Sequence, residues 1–309
     1  MSYWNYIPEV VSVGSLYAHS IMGLGASTYT QENDQYDFSL NTWTSKTNTG
    51  MTARAPSTSV GVDEVIYVQG GRSTSNFSAQ AKYTLGSDAW ANLTAMVHAN
   101  HKKIGARMND DYYITGGVSY GGTAESTIRY YDISGDSWQT TGTAFNAICA
   151  GGAGGSLDRA ETSAVWYVCA GAGSTDKYTK ATNAVTNLTN LSSPFANDAD
   201  GRHTGFTAGG NLYVATGWEG DDGAEQFSKE CREYSVSGNS WSTKTDTNNE
   251  RVDCAGVSQA GDNDKGNVIG GGHNTYKGDV NEQYSVSGNT WTAKAVLLYD
   301  VQHVGGADA

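Results

Sequence analysis

The sequence predicts an all-β chain made of six copies of one four-stranded unit, and three observations carry that prediction. The composition is that of strands and tight turns: 39 Gly, 3 Pro, 19 Tyr and 8 Trp in 309 residues, with Thr, Ser and Asn prominent. Trp43, Trp90, Trp138, Trp241 and Trp291 each stand seven residues after a Tyr, namely Tyr36, Tyr83, Tyr131, Tyr234 and Tyr284. With only 8 Trp in the chain, that coincidence is not accidental. Ahead of each Tyr lies a short apolar run ending in glycine, clearest at Ile66–Gly71, Tyr113–Gly117 and Val268–Gly271.

Each element of the unit follows from its residues. A Tyr and a Trp seven apart fit opposite positions of an antiparallel hairpin, with the turn between them. In three copies the middle of that turn is Ser-Gly (Ser134-Gly135, Ser237-Gly238, Ser287-Gly288), which places the positive φ of a hairpin turn on the glycine. The apolar run is the strand before it, and its terminal glycines let the backbone leave at an unusual angle. A further strand, opened by a basic residue such as Arg54, Lys102, Arg202 or Arg251, precedes the run. The Trp positions leave one double gap, between Trp138 and Trp241, which hides a sixth copy with Tyr178 and, in place of Trp, Val185.

This pattern resembles the kelch repeat, whose period is near 50 residues. The resemblance spans essentially the whole chain, residues 1–309, as a single domain. It implies a six-bladed β-propeller of four-stranded antiparallel blades around a channel, with the basic-led strand innermost. The first, fourth and fifth copies lack a clean double glycine and are expected to be less regular. The segment Tyr299–Gly306 looks like an innermost strand, so the C-terminal strand is expected to join the N-terminal blade and close the ring, which removes free sheet edges. Val10–Val13 is the alternative source of that strand.

Charge and length bound the function. Lys+Arg is 19 against Asp+Glu 32, a net charge of -13, which disfavours nucleic acid and anionic membranes as partners. No apolar stretch is long enough to span a bilayer, and the first residues lack the basic and apolar regions of a signal peptide. Cys149 and Cys169 read either as two buried small residues or as a cross-strand disulfide.

The meander puts the loops between the second and third strands of every blade on one face, together with the links between blades. Those links carry Arg54, His101, Lys102, Arg202, His203 and Arg251, and the closing segment adds His303. A binding face is expected there, since long loops on a rigid scaffold are the usual place for recognition. The competing reading is that these cations pair with acids or cap loop carbonyls. Trp218 reads either as an exposed anchor or as cover for the irregular fourth blade. The acidic run Glu219, Asp221, Asp222 and Glu225 and the Asp262-x-Asp264 pair read as solvated loop rather than as a metal site, the latter lacking the rest of a calcium loop.

No nucleophile elbow, phosphate loop or zinc-type His pair is present, so no catalytic residue, cofactor or metal is assigned. Copper oxidases occur among kelch-like propellers, but their Tyr, His and Tyr–Cys set does not map onto this chain. The expectation is a non-enzymatic binding or structural propeller, a bacteriophage virion component whose partner is a protein of the virion or host surface, or a glycan. The alternatives are a cytoplasmic kelch adaptor and a carbohydrate-active or copper-oxidase-like enzyme.

Overall fold

Six antiparallel four-stranded sheets follow one another along the chain and stand radially about a common axis in the computed structural model. It describes residues 9–13, 17–24, 29–55, 58–119, 122–147, 151–158, 164–169, 173–192, 202–218, 227–259, 262–272, 278–299 and 305–306. The first blade is β1 (Glu9–Val13), β2 (Tyr17–Leu24), β3 (Tyr29–Asp37) and β4 (Thr42–Ser45). The second is β5 (Thr58–Val62), β6 (Val65–Gln69), β7 (Gln80–Thr84) and β8 (Ala89–Leu93). The third is β9 (Asn100–Met108), β10 (Asp111–Ser119), β11 (Thr127–Asp132) and β12 (Ser137–Ala144). The fourth is β13 (Ala153–Asp158), β14 (Val165–Cys169), β15 (Thr175–Thr179) and β16 (Ala184–Asn187). The fifth is β17 (Thr204–Ala208), β18 (Asn211–Trp218), β19 (Phe227–Ser235) and β20 (Ser240–Thr243). The sixth is β21 (Ala255–Ser258), β22 (Lys265–Ile269), β23 (Asn281–Ser285) and β24 (Thr290–Ala293).

The innermost strands neighbour one another in the order β1, β5, β9, β13, β17, β21 and back to β1. The chain is therefore a six-bladed β-propeller. Its apolar core is divided into six clusters, one in each seam between blades: Tyr83 with Ile21 and Met22 in one, for example, and Tyr284 with Phe206 and Tyr213 in another. Innermost strands approach so closely that glycine is needed on them. A Cβ on Gly105 would stand 2.7 Å from Thr58 Oγ1, and one on Gly205 would stand 2.9 Å from Ala153 Cβ.

The Tyr–Trp pairing is as the spacing predicts, with Tyr36 opposite Trp43, Tyr83 opposite Trp90 and Tyr284 opposite Trp291. Tyr178 faces Val185 in the fourth blade. The ring centroids of those three aromatic pairs lie 5.0, 5.1 and 5.0 Å apart. Contacts of this kind contribute about 0.5–1.5 kcal/mol beyond burial.

The turn chemistry differs from the expectation. The positive φ falls on the residue after the glycine: Asp136 at 45°, Asn239 at 46° and Asn289 at 47°, with Asn41, Asp88 and Asn183 at the same place in the other blades. The reason is a second task for that side chain. Its Oδ1 accepts the hydroxyl of the Tyr five residues back, at 2.6 Å for Tyr36–Asn41, 2.6 Å for Tyr83–Asp88 and 2.7 Å for Tyr284–Asn289. Asn and Asp are the non-glycine residues that best tolerate this left-handed conformation, and only they bring the acceptor.

The same Oδ1 also reaches the preceding blade. It accepts the backbone N–H of Thr47 on Asp88, Thr94 on Asp136, Thr189 on Asn239, Thr245 on Asn289 and Ala295 on Asn41. The Trp two residues on donates its indole N–H to the carbonyl of that same residue, at 2.8 Å for Trp90–Thr47 and Trp291–Thr245 and 2.9 Å for Trp241–Thr189 and Trp43–Ala295. Tyr, Asn or Asp, and Trp thus form one clasp between blades. The Asn41–Ala295 and Trp43–Ala295 bonds close the ring between the sixth blade and the first.

The terminal strands correct one expectation. Strand β1 is the innermost antiparallel strand of the first blade, pairing Val10 with Ser20 and Val13 with Tyr17. The C-terminal strand β25 (Gly305–Gly306) does join this blade, but parallel to β1 and further in. It lies within reach of β5, β9, β17 and β21, so it stands in the channel. Innermost strands already sit side by side around the ring, which leaves a second copy of that strand no place except on the axis. His303 lies outside the described residues.

The expected irregularity of the first and fifth blades is slight at the strand end. Met22-Gly23 and Thr216-Gly217 adopt the conformation that Gly70-Gly71 and Gly270-Gly271 adopt, with φ of 57° and 56° on the non-glycine residue. The second glycine is the indispensable one. A Cβ on Gly117 would meet His101 O at 2.7 Å, and one on Gly271 would meet Val252 O at 2.8 Å and the Cys254 sulfur.

Candidate binding face at the channel mouth

The loops between second and third strands and the links between blades gather on one end of the channel, as the meander requires. Four links carry a residue in the left-handed region at the same place: Lys102 (φ 58°), Gly151 (φ 64°), Arg202 (φ 49°) and Asp253 (φ 56°). The amide of Gly151 donates to Lys102 O at 3.5 Å, that of His203 to Gly151 O at 3.2 Å, and that of Asp253 to Arg202 O at 3.3 Å. The rim of the mouth is therefore a chain of backbone hydrogen bonds running from the third blade to the sixth.

The basic residues fall into two sets that the sequence does not separate. Arg54 and Arg251 lie before the rim position and are buried, at 1% and 2% exposure. Arg251 donates to Glu282 at 2.5 Å and to the carbonyls of Val268, Gly270 and Val280. It both pairs with an acid and caps carbonyls. Arg54 donates to Ala79 O at 3.3 Å, contacts the Met51 sulfur, and stands 4.7 Å over the Phe77 ring. Ala81 stands where the sixth blade has Glu282, since each is opposite the central apolar residue of its second strand. Without that carboxylate, burial pulls the Arg54 guanidinium down to about 10.

Lys102 and Arg202 form the second set, on the rim itself. Arg202 lies 3.8 Å from Asp253 and stacks over the Trp218 ring at 5.3 Å. Trp218 in turn meets Phe227 edge-on at 5.6 Å. Trp218 belongs to the fifth blade and is half-buried, and in the seam where the fourth blade has Val185 in place of Trp, the buried Trp166 stands opposite Tyr178 and packs edge-on against Phe145 at 5.3 Å. His101 and His203 are buried beside the rim. Burial, with Lys102 and Arg72 beside it, pushes His101 down to about 3, so its imidazole is neutral at physiological pH.

Other sequence candidates fall elsewhere. Asp264 caps the turn of the sixth blade, accepting from Ser285 Oγ at 2.8 Å and from the Ser287 amide at 2.7 Å, while Asp262 pairs with Lys265 at 2.7 Å. The run Glu219, Asp221, Asp222 and Glu225, together with Cys149, lies outside the described residues. Cys169 is buried, and burial pushes its thiol up to about 12. Among the described residues no group of three or more His, Cys, Asp or Glu is placed to hold a metal ion, and no helix is long and apolar enough to cross a membrane.

No protein-family model matches the chain, and no curated protein matches it either. Solved structures do, as 765 chains, so the likeness is one of a widespread fold. One of them, titled "Structure of YjhT", superposes with a TM-score of 0.76 at 14% sequence identity and covers 93% of this chain and 97% of its own. At that identity the likeness speaks for the propeller fold alone.

Proposed function

We propose that the chain is a non-enzymatic recognition propeller of the kelch type, which takes a glycan or a surface protein on its channel-mouth face. The observation that carries this reading is the Arg202–Trp218 stack on the hydrogen-bonded rim. Asp253 orients the guanidinium, and Phe227 supports the indole from its edge. A planar aromatic held beside an oriented cation suits the C–H face of a sugar ring or an aromatic or acidic side chain. Arg202 and Trp218 are the contact residues of this reading, Lys102, His101 and His203 are buried on and beside the rim and hold it in shape, and Arg54 and Arg251 brace the scaffold beneath them.

The setting that fits is a virion, where the protein would decorate the particle or engage the host. The Thr-, Ser-, Asn-, Gly- and Tyr-rich, Pro-poor, acidic composition is the support for it. Two measurements test the reading. Binding of the purified protein to a glycan panel and to host cells should weaken at least tenfold in the Arg202→Ala, Trp218→Ala pair while the melting temperature holds. Unchanged binding in that pair removes the mouth face from the function. Mass spectrometry of purified virions should detect the chain, and its absence there removes the virion setting.

A further inference from the structure

The seam between the second and third blades differs from the others. The residue just before the left-handed turn at the end of the second strand is Ile21, Ala215 or Ile269 in the first, fifth and sixth blades, all apolar, and Thr115 in the third, whose hydroxyl donates to Ser126 O at 3.1 Å. The second strand of the fourth blade ends on Cys169. In the second blade it is Gln69, fully buried, and neither end of its amide finds a hydrogen-bond partner. Gln69 sits directly opposite Gln80 across β6 and β7. Both follow the face of Tyr67, whose ring packs into the seam with Tyr112 and Ile114 of the third blade.

The unmet groups are mostly donors. Gln80 Oε1 accepts the Trp138 indole N–H at 2.8 Å, which fixes the amide's orientation and leaves Nε2 as a buried donor without a partner. Asn100, on the third blade's side, accepts the Gly71 amide on its backbone carbonyl at 3.3 Å across the seam, and its side-chain Nδ2 is also unmet. Lys103 sits opposite Gly116, two places along β10 from Ile114, and is 6% exposed. Its charged neighbours are Glu125 and Arg129, and those two are engaged with each other at 2.7 Å. Burial and the Arg129 charge pull the Lys103 amine down to about 7. The second blade's loop straps over the seam, with Asn76 Nδ2 donating to Ala99 O at 3.1 Å and to Val118 O at 3.2 Å.

Burying several polar groups unmet is costly, and a seam that only had to be sealed would carry an apolar residue there, as the first, fifth and sixth blades do, or a partnered one, as the third does. Gln69 and Gln80 face each other, and the side chains of Lys103 and Asn100 both stand against Gly117. The amine and three amide donors outnumber the two unmet acceptors, Gln69 Oε1 and Asn76 Oδ1, and that donor excess is the complement of an anion. We propose that the seam between the second and third blades holds a small oxyanion, a carboxylate or phosphate group, on Lys103 and the side-chain amides of Gln69, Gln80 and Asn100. The site lies within the wall of the ring and is separate from the rim, where the preceding residue, Lys102, stands.

Calorimetric titration of the wild-type protein with sodium acetate and, separately, sodium phosphate at constant ionic strength tests this. One saturable site is expected for at least one anion, and which anion binds tells the carboxylate source from the phosphate source. Lys103→Met should weaken that binding tenfold or more and Gln69→Leu should weaken it too, whereas Lys102→Met should leave it within twofold. No saturable binding of either anion to the wild type overturns the proposal without reference to any variant's folding. An equal loss in Lys102→Met and Lys103→Met also overturns it, because that result moves the anion to the mouth.

Discussion

The seam between the fifth and sixth blades and the seam between the third and fourth do the same work with different residues. In the former, Tyr284, Asn289 and Trp291 form the full clasp on Thr245. In the latter, Tyr178 and Asn183 are present, but Val185 replaces the Trp. There Asn183 reaches further: its Nδ2 donates to Thr141 O at 2.8 Å, and its Oδ1 accepts from Thr143 Oγ1 at 3.1 Å. The partners come from β12, the longest of the six outermost strands. Trp166 on the second strand packs in the same cluster as Tyr178, with Val185 against it. The Tyr and the Asn or Asp are thus the constant parts of the device, and the Trp is the exchangeable one.

The largest expected effect separates the two seams outright. Trp291→Ala should cost about 3–5 kcal/mol, as truncation of a packed aromatic does. Val185→Ala, at a half-buried outer-strand position, should cost less than about 1.5 kcal/mol. Chemical denaturation of both variants gives the comparison, and equal losses would mean the Trp is as necessary as the Asn.

A smaller effect should be shared. Asn289→Ala and Asn183→Ala each force alanine into the left-handed region, at about 1–2 kcal/mol, and remove side-chain acceptor bonds worth about 1 kcal/mol each. The loss at Asn183 should be no smaller than at Asn289, because the Trp-less seam leans on that amide more heavily. Asn→Gly at either site restores the backbone but not the acceptor, so it should recover only part of the loss.

The smallest effect depends on pH. Two clasps use a carboxylate, Asp88 and Asp136, and each is held below the usual carboxylate range first by the Tyr hydroxyl it accepts, from Tyr83 and Tyr131 respectively, and next by a Thr amide. A depressed carboxylate adds stability above its unfolded value, near 3.8, and loses it as pH falls through the folded value. Acid should therefore loosen the seams on either side of the second blade before the Asn-based ones. Asp88→Asn with Asp136→Asn should move the acid unfolding midpoint down, and hydrogen exchange in β7 and β8 reads the same change locally. A midpoint that does not move would show that the carboxylate and amide clasps are equivalent in acid.

Much of this ring is legible in the residues. The Tyr–Trp spacing gives the register of all six outer hairpins, including the degraded one, because a pair of large aromatics cannot face each other without fixing its strands. The clasp was equally present and harder to read: an Asn or Asp stands five residues after every one of the six Tyr residues. That signal is hidden by its ordinariness, since Asn and Asp are common in turns and their task here lies on another blade. The placement of the cations resists reading for a similar reason. Arg54 and Arg251 look like Lys102 and Arg202 in a linear pattern, yet a shift of two residues sets them below the rim, and on the rim itself Lys102 is buried while Arg202 is part-exposed. The polar seam at Gln69 emerges only when its counterparts are compared: Ile21, Cys169, Ala215 and Ile269 are apolar, and the Thr115 hydroxyl is partnered.

The clasp also has a consequence for how this molecule can change over generations. All six turns that carry it, 38–41, 85–88, 133–136, 180–183, 236–239 and 286–289, have the same length. The connections between second and third strands differ in length from blade to blade, and the one at 70–79 takes no part in the clasp. Selection for new partners can therefore lengthen, shorten or rewrite one set of loops while the ring's fastening stays untouched. The fold keeps its variable text and its binding on different pages.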